Sequence, residues 1–233
     1  MDEAIIDLKN VCFRWKNSSS VLLDLPEFRI KQHEHVFLQG PSGSGKSTLL
    51  ALVGGILVSG SGSLKVLGQE LRKLSRSGRD VFRVDHIGFI FQLFNLLPYL
   101  SIEENVMLPL SFSSIRARRA GRTKLDRLNE ARRLLKALAL EKQQAEKSPV
   151  IELSVGQQQR VAAARALIGS PELIIADEPT SALDADLRHS FLELLFGECK
   201  KAGSTLLFVS HDSTLSDFFN SKASMDELNN IRN

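Results

Sequence analysis

The sequence predicts an α/β fold with a mostly parallel sheet, antiparallel strands near the N-terminus and an inserted helical subdomain. Three observations support this prediction. Apolar runs such as 173–176 and 205–209 are continuous rather than alternating, which is typical of strands covered on both faces. A glycine-rich loop at 40–45 lies between a short apolar run and a helical pattern. Between residues 92 and 171, strand-like runs are few and helical periodicity prevails.

The elements follow in order along the chain. The first residues predict short strands at 5–8 and 11–13, separated by a turn and followed by a polar loop at 17–20. The run 36–38 predicts a strand that ends in the glycine-rich loop, and a helix is expected to begin near Lys46. The remaining buried strands are expected at 87–91, 173–176 and 205–209. In the middle of the chain, Thr123 followed three residues later by Asp126 predicts a capped helix start.

We expect a single domain over 1–233, comprising an α/β core of 1–92 and 171–233 and a helical subdomain of 93–170. The chain has 233 residues and 43% of them are hydrophobic, which permits a sizeable core and excludes wholesale disorder. Two cysteines, Cys12 and Cys199, are too few for a disulfide framework or a cysteine-rich zinc site.

No segment resembles a membrane span or a secretory signal. The longest nearly uncharged apolar stretch, 49–58, has ten residues with two glycines inside. A membrane-spanning helix needs about 20 apolar residues. A role at a membrane would therefore require a partner subunit.

The net charge of +3 hides an uneven distribution. Between residues 116 and 136 the chain carries nine basic residues against Asp126 and Glu130. The basic residues are Arg116, Arg118, Arg119, Arg122, Lys124, Arg127, Arg132, Arg133 and Lys136. Two interpretations stay open, a solvated helix face and attraction to anionic lipid headgroups beside a membrane partner.

The glycine-rich loop matches the phosphate-binding pattern G-x-x-x-x-G-K-[ST], in the strand-to-helix context that the pattern requires. It consists of Gly40, Pro41, Ser42, Gly43, Ser44, Gly45, Lys46 and Ser47, followed by Thr48. Its backbone N–H groups and the helix N-terminus favour a phosphate anion. Lys46 is expected to contact the β- and γ-phosphates, and Ser47 is expected to bind Mg²⁺. The alternative is a glycine–serine turn that matches by chance, and the motif alone leaves kinases, GTPases and ATPases open.

A second acidic element supports nucleotide chemistry. The apolar run 173–176 is followed by Asp177 and Glu178. An aspartate at the end of such a strand holds Mg²⁺ in P-loop NTPases, and a glutamate one residue further can activate a water molecule. The alternative, a strand that ends in a solvated acidic pair, is common when no phosphate loop accompanies it.

Between these two elements, residues 153–162 read LSVGQQQRVA, which resembles the signature sequence of ATP-binding cassette (ABC) proteins, the ATPase subunits of ABC transporters. Further landmarks of that family follow in the expected order. Phe91–Gln92 resembles the Q-loop, residues 181–184 (SALD) the D-loop, and Ser210-His211-Asp212 the switch histidine. Trp15 stands where the family places an aromatic residue under the adenine ring. The resemblance extends from about Ile5 to Asp212.

The resemblance implies a P-loop NTPase core and hydrolysis of ATP with Mg²⁺ between two cassettes. Ser154, Gly156 and Gln157 of one cassette would face the γ-phosphate held by Lys46 of the other. The remaining implied roles concern the reaction and the interface. Gln92 would contact Mg²⁺ and the attacking water, Asp177 would hold Mg²⁺, Glu178 would be the general base, His211 would stabilise the γ-phosphate, and Asp184 would help fix the opposing subunit.

The implied partners are an integral membrane permease subunit and a second cassette, expected as a homodimer in the ATP-bound state, with no nucleic acid. The expected location is peripheral, at the cytoplasmic face of the inner (plasma) membrane. The apolar segments 91–98 and 102–110 resemble the branch that serves lipoprotein release and macrolide export, which implies export or envelope remodelling.

Two other functions stay open. One is a non-transport ABC ATPase, although the chain lacks the coiled-coil insertions and second cassette that such proteins usually carry. The other is an ATP-gated regulatory cassette with weak turnover. Two departures from the family keep it open: Val155 replaces the first glycine of the signature, and no aspartate–glycine turn is recognisable after His211. We expect Val155 to adopt ordinary backbone angles, because a β-branched residue does not readily take a positive φ. The closing strands of the sheet are in doubt.

Overall fold

The computed structural model describes residues 4–16, 18–142 and 149–231. By its internal contacts the chain divides into two compact units, Met1–Arg83 with Thr205–Asn233 and Val84–Ser204. We call the first the terminal unit and the second the central unit. The division into an α/β core and a helical subdomain at residues 93 and 170 stays a prediction.

The terminal unit contains an antiparallel sheet of four strands: β1 (Ala4–Phe13), β2 (Leu23–Lys31), β4 (Ser61–Val66) and β5 (Gln69–Glu70). Their order in the sheet is β2-β1-β4-β5. The predicted turn between 5–8 and 11–13 is wrong, because both runs belong to the single strand β1. An irregularity replaces the turn: Asn10 has a φ of 50°, and the register of β1 against β4 shifts beside it. Gly62 fits this point, since a Cβ there would lie 2.2 Å from the carbonyl oxygen of Asn10.

The terminal unit also contains three parallel strands, β3 (His35–Gln39), β8 (Thr205–Ser210) and β9 (Ser221–Ser224). Strand β3 lies between β8 and β9. The doubt about the closing strands is thus resolved for β9, whose polar residues pair with β3 through the backbone. Helix α1 (Lys46–Val53) begins at the predicted residue, and α2 (Arg76–His86) follows β5.

The last described residues close onto the start of β2. A short helix, α8 (Met225–Leu228), follows β9 and is capped at its C-terminus by Asn229. The buried Asn229 side chain accepts a hydrogen bond from the Asp24 amide (2.8 Å) and donates one to the Leu22 carbonyl (3.0 Å). Leu23 is therefore fixed on both sides by one side chain from the other end of the sequence.

The central unit pairs two parallel strands, β6 (Ile87–Ile90) and β7 (Leu173–Asp177), and the other regular elements of its described residues are helices. Its helices are α3 (Ile102–Met107), α4 (Ser114–Ala120), α5 (Lys124–Ala137), α6 (Val155–Leu167) and α7 (Ala185–Ala202). The predicted capped start is confirmed, because Thr123 and Asp126 exchange backbone-to-side-chain hydrogen bonds of 3.1 and 2.9 Å. Among the helices of residues 4–16, 18–142 and 149–231, none has the length and apolar character that crossing a bilayer requires.

The basic window at 116–136 lies in the central unit, and seven of its nine basic side chains bond within that unit. Arg119, Arg132, Arg133 and Lys136 pair with carboxylates at 2.7–2.8 Å. Arg116, Arg118 and Arg127 donate to backbone carbonyls. Most of these positive charges therefore make contacts within the protein, which favours the interpretation of a solvated helix face over attraction to lipid headgroups.

One of these pairs perturbs a carboxyl group at the start of β7. Glu172 accepts hydrogen bonds from His86 Nδ1 (3.1 Å) and Arg119 Nη2 (2.7 Å), and Asp85 and Arg116 are the other charged groups of this cluster. Burial raises the pKa of Glu172, but the two hydrogen bonds outweigh it and the pKa falls to about 2. The ionised carboxylate is therefore stabilised in the folded state.

We expect this cluster to make folding sensitive to acid. The pKa of Glu172 is lower in the folded chain than its ordinary 4.5, so its contribution is present above pH 4.5 and is lost as the pH falls toward about 2. Replacing Glu172 by glutamine should lower the free energy of unfolding by about 1–2 kcal/mol near neutral pH and by less near about pH 3. Urea unfolding at both pH values measures this difference. A loss equal at both pH values would contradict it, and the exposed Glu152→Gln serves as the control.

Candidate functional site

The phosphate loop lies in the terminal unit, between the end of β3 and the start of α1. Gly43 and Gly45 have φ values of 83° and 96°, which only glycine adopts readily. The buried Lys46 ammonium donates to the carbonyl oxygens of Gly40 (2.6 Å) and Pro41 (2.9 Å). The loop therefore curls around its own lysine, with the cation held at its centre.

Three observations show that this loop fits a phosphate group. Helix α1 begins at Lys46 with no capping side chain and no acidic residue in its first turn, so its N–H groups and positive dipole end can serve an anion. The Ser44 hydroxyl is buried and has no hydrogen-bond partner within the described residues. The backbone is closely packed, since a Cβ on Gly45 would lie 2.5 Å from Leu23 Cδ2 and one on Gly40 would lie 2.9 Å from Met225 Cβ.

Two further predicted residues lie in the terminal unit. Trp15 follows β1, is 48% exposed and contacts Phe13 edge-on with ring centroids 5.1 Å apart. An aromatic ring supported by Phe13 and still open to solvent can stack on a planar base. His211 follows β8 and is exposed, and the next residue, Asp212, caps a 3₁₀ turn by accepting from the Thr214 amide. The roles of Trp15 and His211 stay predictions.

The acidic pair and the glutamine lie in the central unit at one edge of a strand pair. Asp177 ends β7, and Glu178 follows it with a left-handed φ of 48°. Strand β6 runs parallel to β7 and ends two residues before the exposed Gln92. Parallel strands present their carboxyl ends at the same edge, so Gln92 follows one strand where Asp177 and Glu178 follow its neighbour. A non-glycine residue with left-handed backbone costs about 1 kcal/mol or more, and such strain concentrates at functional sites.

The signature sequence opens α6. Ser154 caps the helix by accepting from the Gln157 amide (3.3 Å), and the Gln157 side chain accepts from the Ser154 amide (2.9 Å). Val155 is the first helical residue and has no positive φ, which confirms the expectation for this substitution. Gly156 also has ordinary backbone angles, and a Cβ there would contact Leu183 Cδ2 at 3.4 Å. The signature therefore retains a regular, capped helix start despite Val155.

Asp184 has a local role that the sequence did not predict. It caps α7, accepting from the Leu187 amide at 2.9 Å. Its predicted contact with an opposing subunit stays a prediction, as do the predicted contacts of the remaining loop residues Ser42, Ser47 and Thr48.

The segment after Gln92 is held by a side chain that the sequence analysis missed. The fully buried Asn105 amide accepts from the Leu97 N–H (2.8 Å) and donates to the carbonyls of Leu97, Leu100 and Ser101 (3.0–3.2 Å). An asparagine within the apolar segment 102–110 was the available signal, because a buried amide needs several partners. This network leaves the side chains of Leu93 and Tyr99 exposed, at 82% and 78%.

A glycine-rich loop that opens a helix, together with carboxylates at the end of a parallel strand, defines a P-loop nucleotide-binding protein. Comparison with known proteins agrees. A protein-family profile described as "ABC transporter" matches residues 23–181. The chain is 41% identical over 189 residues to the uncharacterized ABC transporter ATP-binding protein YbbA of Escherichia coli K12, covering 81% of this chain and 79% of that one.

Other relatives give the same result. The uncharacterized ABC transporter ATP-binding protein MJ0796 of Methanocaldococcus jannaschii is 39% identical over 216 residues, which is 92% of this chain and 90% of that one. A dimeric structure of MJ0796 in a post-hydrolysis state bound to ADP and Pi superposes with a TM-score of 0.82 at 36% identity, covering 94% of this chain and 93% of that chain. The macrolide export ATP-binding/permease protein MacB of Mannheimia succiniciproducens is 40% identical over 200 residues, 86% of this chain but 29% of MacB.

The chain belongs to the ABC transporter family. It is an ATP-binding cassette with the P-loop NTPase fold and the ATPase activity of that family, as the sequence resemblance predicted. The predicted lipoprotein-release and macrolide-export branch is consistent with MacB among the relatives.

Proposed function

We propose that this cassette binds Mg²⁺-ATP as a homodimer and powers export or envelope remodelling through a separate integral membrane subunit. The observation that carries the proposal is the exposed apolar segment directly after Gln92. Leu93 and Tyr99 are large side chains that the central unit holds at its surface rather than in its core. An apolar surface beside Gln92, which would contact Mg²⁺ and the attacking water, is suited to a partner helix.

The residues of each unit support complementary tasks. In the terminal unit, the loop with Lys46 and the Ser44 hydroxyl would bind the phosphates, and Trp15 would stack on the adenine. Mg²⁺, when bound, would neutralise charge on the phosphate oxygens. Ser47 and Asp177 are the residues that would hold it, and Gln92 would contact it.

The chemical step would depend on groups that can move or hold a proton. Glu178 would take a proton from the attacking water, and His211 would hold the γ-phosphate. The left-handed backbone of Glu178 supports this role, because strained conformations of this kind are concentrated at functional sites. Ser154, Gly156 and Gln157 would serve the ATP of the second copy, and the dimeric MJ0796 structures are a precedent for pairing of two cassettes.

The names of the relatives support a separate membrane subunit. YbbA and MJ0796 are named as ABC transporter ATP-binding proteins, whereas MacB is named as a combined ATP-binding/permease protein. By analogy with the first two, we propose peripheral attachment of this cassette at the cytoplasmic face of the inner membrane.

Photo-crosslinking from the surface segment tests the proposal. A benzophenone amino acid replacing the exposed Leu93 should capture an integral membrane protein in native membranes. The same replacement at Leu125, which is 63% exposed on α5, is the matched control and should not capture it. Capture of nucleic acid or of proteins without membrane spans at position 93 would reject the transporter role in favour of a non-transport ATPase.

A further inference from the structure

Two consecutive residues after Gln92 have a backbone conformation that is unfavourable for their side chains. Phe94 and Asn95 have φ values of 58° and 50°. Each left-handed non-glycine residue costs about 1 kcal/mol, although asparagine tolerates it better than phenylalanine. A double turn of this kind persists only when neighbouring groups hold it.

The group that holds it is the guanidinium of Arg165. Arg165 lies on α6, is 9% exposed, and donates from Nη1 to the Asn95 carbonyl oxygen (2.6 Å) and from Nη2 to the Phe94 carbonyl oxygen. The planar fork of an arginine has two parallel donors that match two neighbouring acceptors, which a lysine cannot reproduce. Hydrogen bonds from a charged donor in a buried setting are among the strongest in proteins.

This contact joins two parts of the proposed site within the central unit. Arg165 belongs to the helix that Ser154 caps, and Phe94 follows Gln92 by two residues. The buried Asn105 fixes the chain further along, from Leu97 onward. Arg165 thus links α6 directly to the turn adjacent to Gln92.

We propose that Arg165 is a positioning residue that holds Gln92 in the orientation needed for ATP hydrolysis. It does so by fixing the Phe94–Asn95 turn to α6, the helix that the signature sequence opens. The inference rests on the role proposed above for Gln92. It predicts that loss of the arginine fork reduces turnover through Gln92 and leaves the affinity for ATP, which the phosphate loop provides, nearly unchanged.

A double-mutant cycle tests the inference with ATPase kinetics of the purified cassette. Arg165→Lys should lower kcat about tenfold while KM for ATP changes less than about twofold. In the Gln92→Ala background the same substitution should have almost no further effect, because the residue through which it acts is gone. If the losses of kcat from Arg165→Lys and Gln92→Ala multiply in the double variant, the inference is overturned, because Arg165 would then act independently of Gln92.

Arg116→Lys is the matched control. Arg116 is also a buried arginine that donates to carbonyls, here Ala166 (2.8 Å) and Ile168 (2.8 and 2.6 Å) at the end of the same helix. Burial lowers its pKa to about 10, so it remains charged at neutral pH. Its replacement should lower the melting temperature, and any effect on kcat should multiply with that of Gln92→Ala.

A second variant covers the case in which Arg165→Lys does not fold. Asn95→Val changes an exposed residue but raises the strain of the same turn, because a β-branched side chain disfavours a positive φ. It should lower kcat in the wild-type background and not in the Gln92→Ala background. If Gln92→Ala itself retains wild-type kcat, the proposed role of Gln92 fails. If Gln92→Ala lowers kcat, and Asn95→Val or Arg165→Lys lowers kcat by its full factor in the Gln92→Ala background as well, only the inference about Arg165 fails.

Discussion

Replacing Glu178 by glutamine should lower the rate of ATP hydrolysis by about two to three orders of magnitude while ATP still binds. Glutamine has nearly the same shape as glutamate but cannot accept a proton from water, and loss of a general base typically costs about 10²–10⁴ in rate. The substitution does not alter the phosphate loop itself, in which Lys46 is held by the carbonyl oxygens of Gly40 and Pro41. Steady-state ATPase measurements together with equilibrium binding of ATP separate the two effects.

The same variant should accumulate as an ATP-bound dimer, since hydrolysis is the step expected to release the pair. Size-exclusion chromatography with and without ATP and Mg²⁺ measures the dimer fraction. Glu193→Gln is the control, because it makes the same chemical change at an exposed position of α7. Retained turnover in Glu178→Gln would remove Glu178 from the mechanism and favour another base. A slow enzyme that stays monomeric with ATP would instead contradict the proposed homodimer.

Local signals explain the parts of the fold that the sequence predicts well. The start of α5 depends on Thr123 and Asp126, three residues apart, and the start of α1 depends on a loop that directly precedes it. The buried strands β6, β7 and β8 are short and apolar, so composition alone identifies them. A comparable signal for α7 was missed: Asp184 caps its start and Gly203, with a φ of 68°, ends it.

The parts that the sequence did not predict depend on contacts between distant residues. Strand β9 is polar and exists because its backbone pairs with β3, more than 180 residues earlier in the chain. The left-handed turn at Phe94–Asn95 depends on Arg165, about 70 residues away. Propensity rules describe neighbours in sequence, so neither feature leaves a readable pattern.

Similar long-range contacts shape the candidate site around a predicted motif. The phosphate-loop pattern requires glycine at positions 40 and 45, but it does not show which residues pack against them. In the structure Met225 packs against Gly40 and Leu23 packs against Gly45, and Asn229 holds the backbone on either side of Leu23. The residues after β9 therefore support the phosphate loop, although the sequence showed no recognisable aspartate–glycine turn in the region after His211.

Gly45→Ala should abolish measurable binding of ATP, because two costs coincide at this position. The backbone φ of 96° is unfavourable for any side chain, and the added Cβ would lie 2.5 Å from Leu23 Cδ2. Leu23 is fully buried and the backbone on either side of it is bonded to Asn229, so its Cδ2 methyl can move aside only by disturbing the packed core around it. The strain is relieved most easily by opening the loop at the start of α1. We expect a loss of at least about 100-fold in affinity, measured by calorimetric titration with ATP.

Gly68→Ala separates loop geometry from the general effect of removing a glycine. Gly68 also has a positive φ, 72°, but no atom lies within 4 Å of its added Cβ, and it belongs to the turn between β4 and β5. It should lower the free energy of unfolding by about 1 kcal/mol and leave ATP affinity unchanged. Equal loss of affinity in both variants would mean that stability, not the contact with Leu23, controls binding. Adding Leu23→Ala to Gly45→Ala removes the atom that clashes, so part of the affinity should return despite the cavity that the substitution leaves.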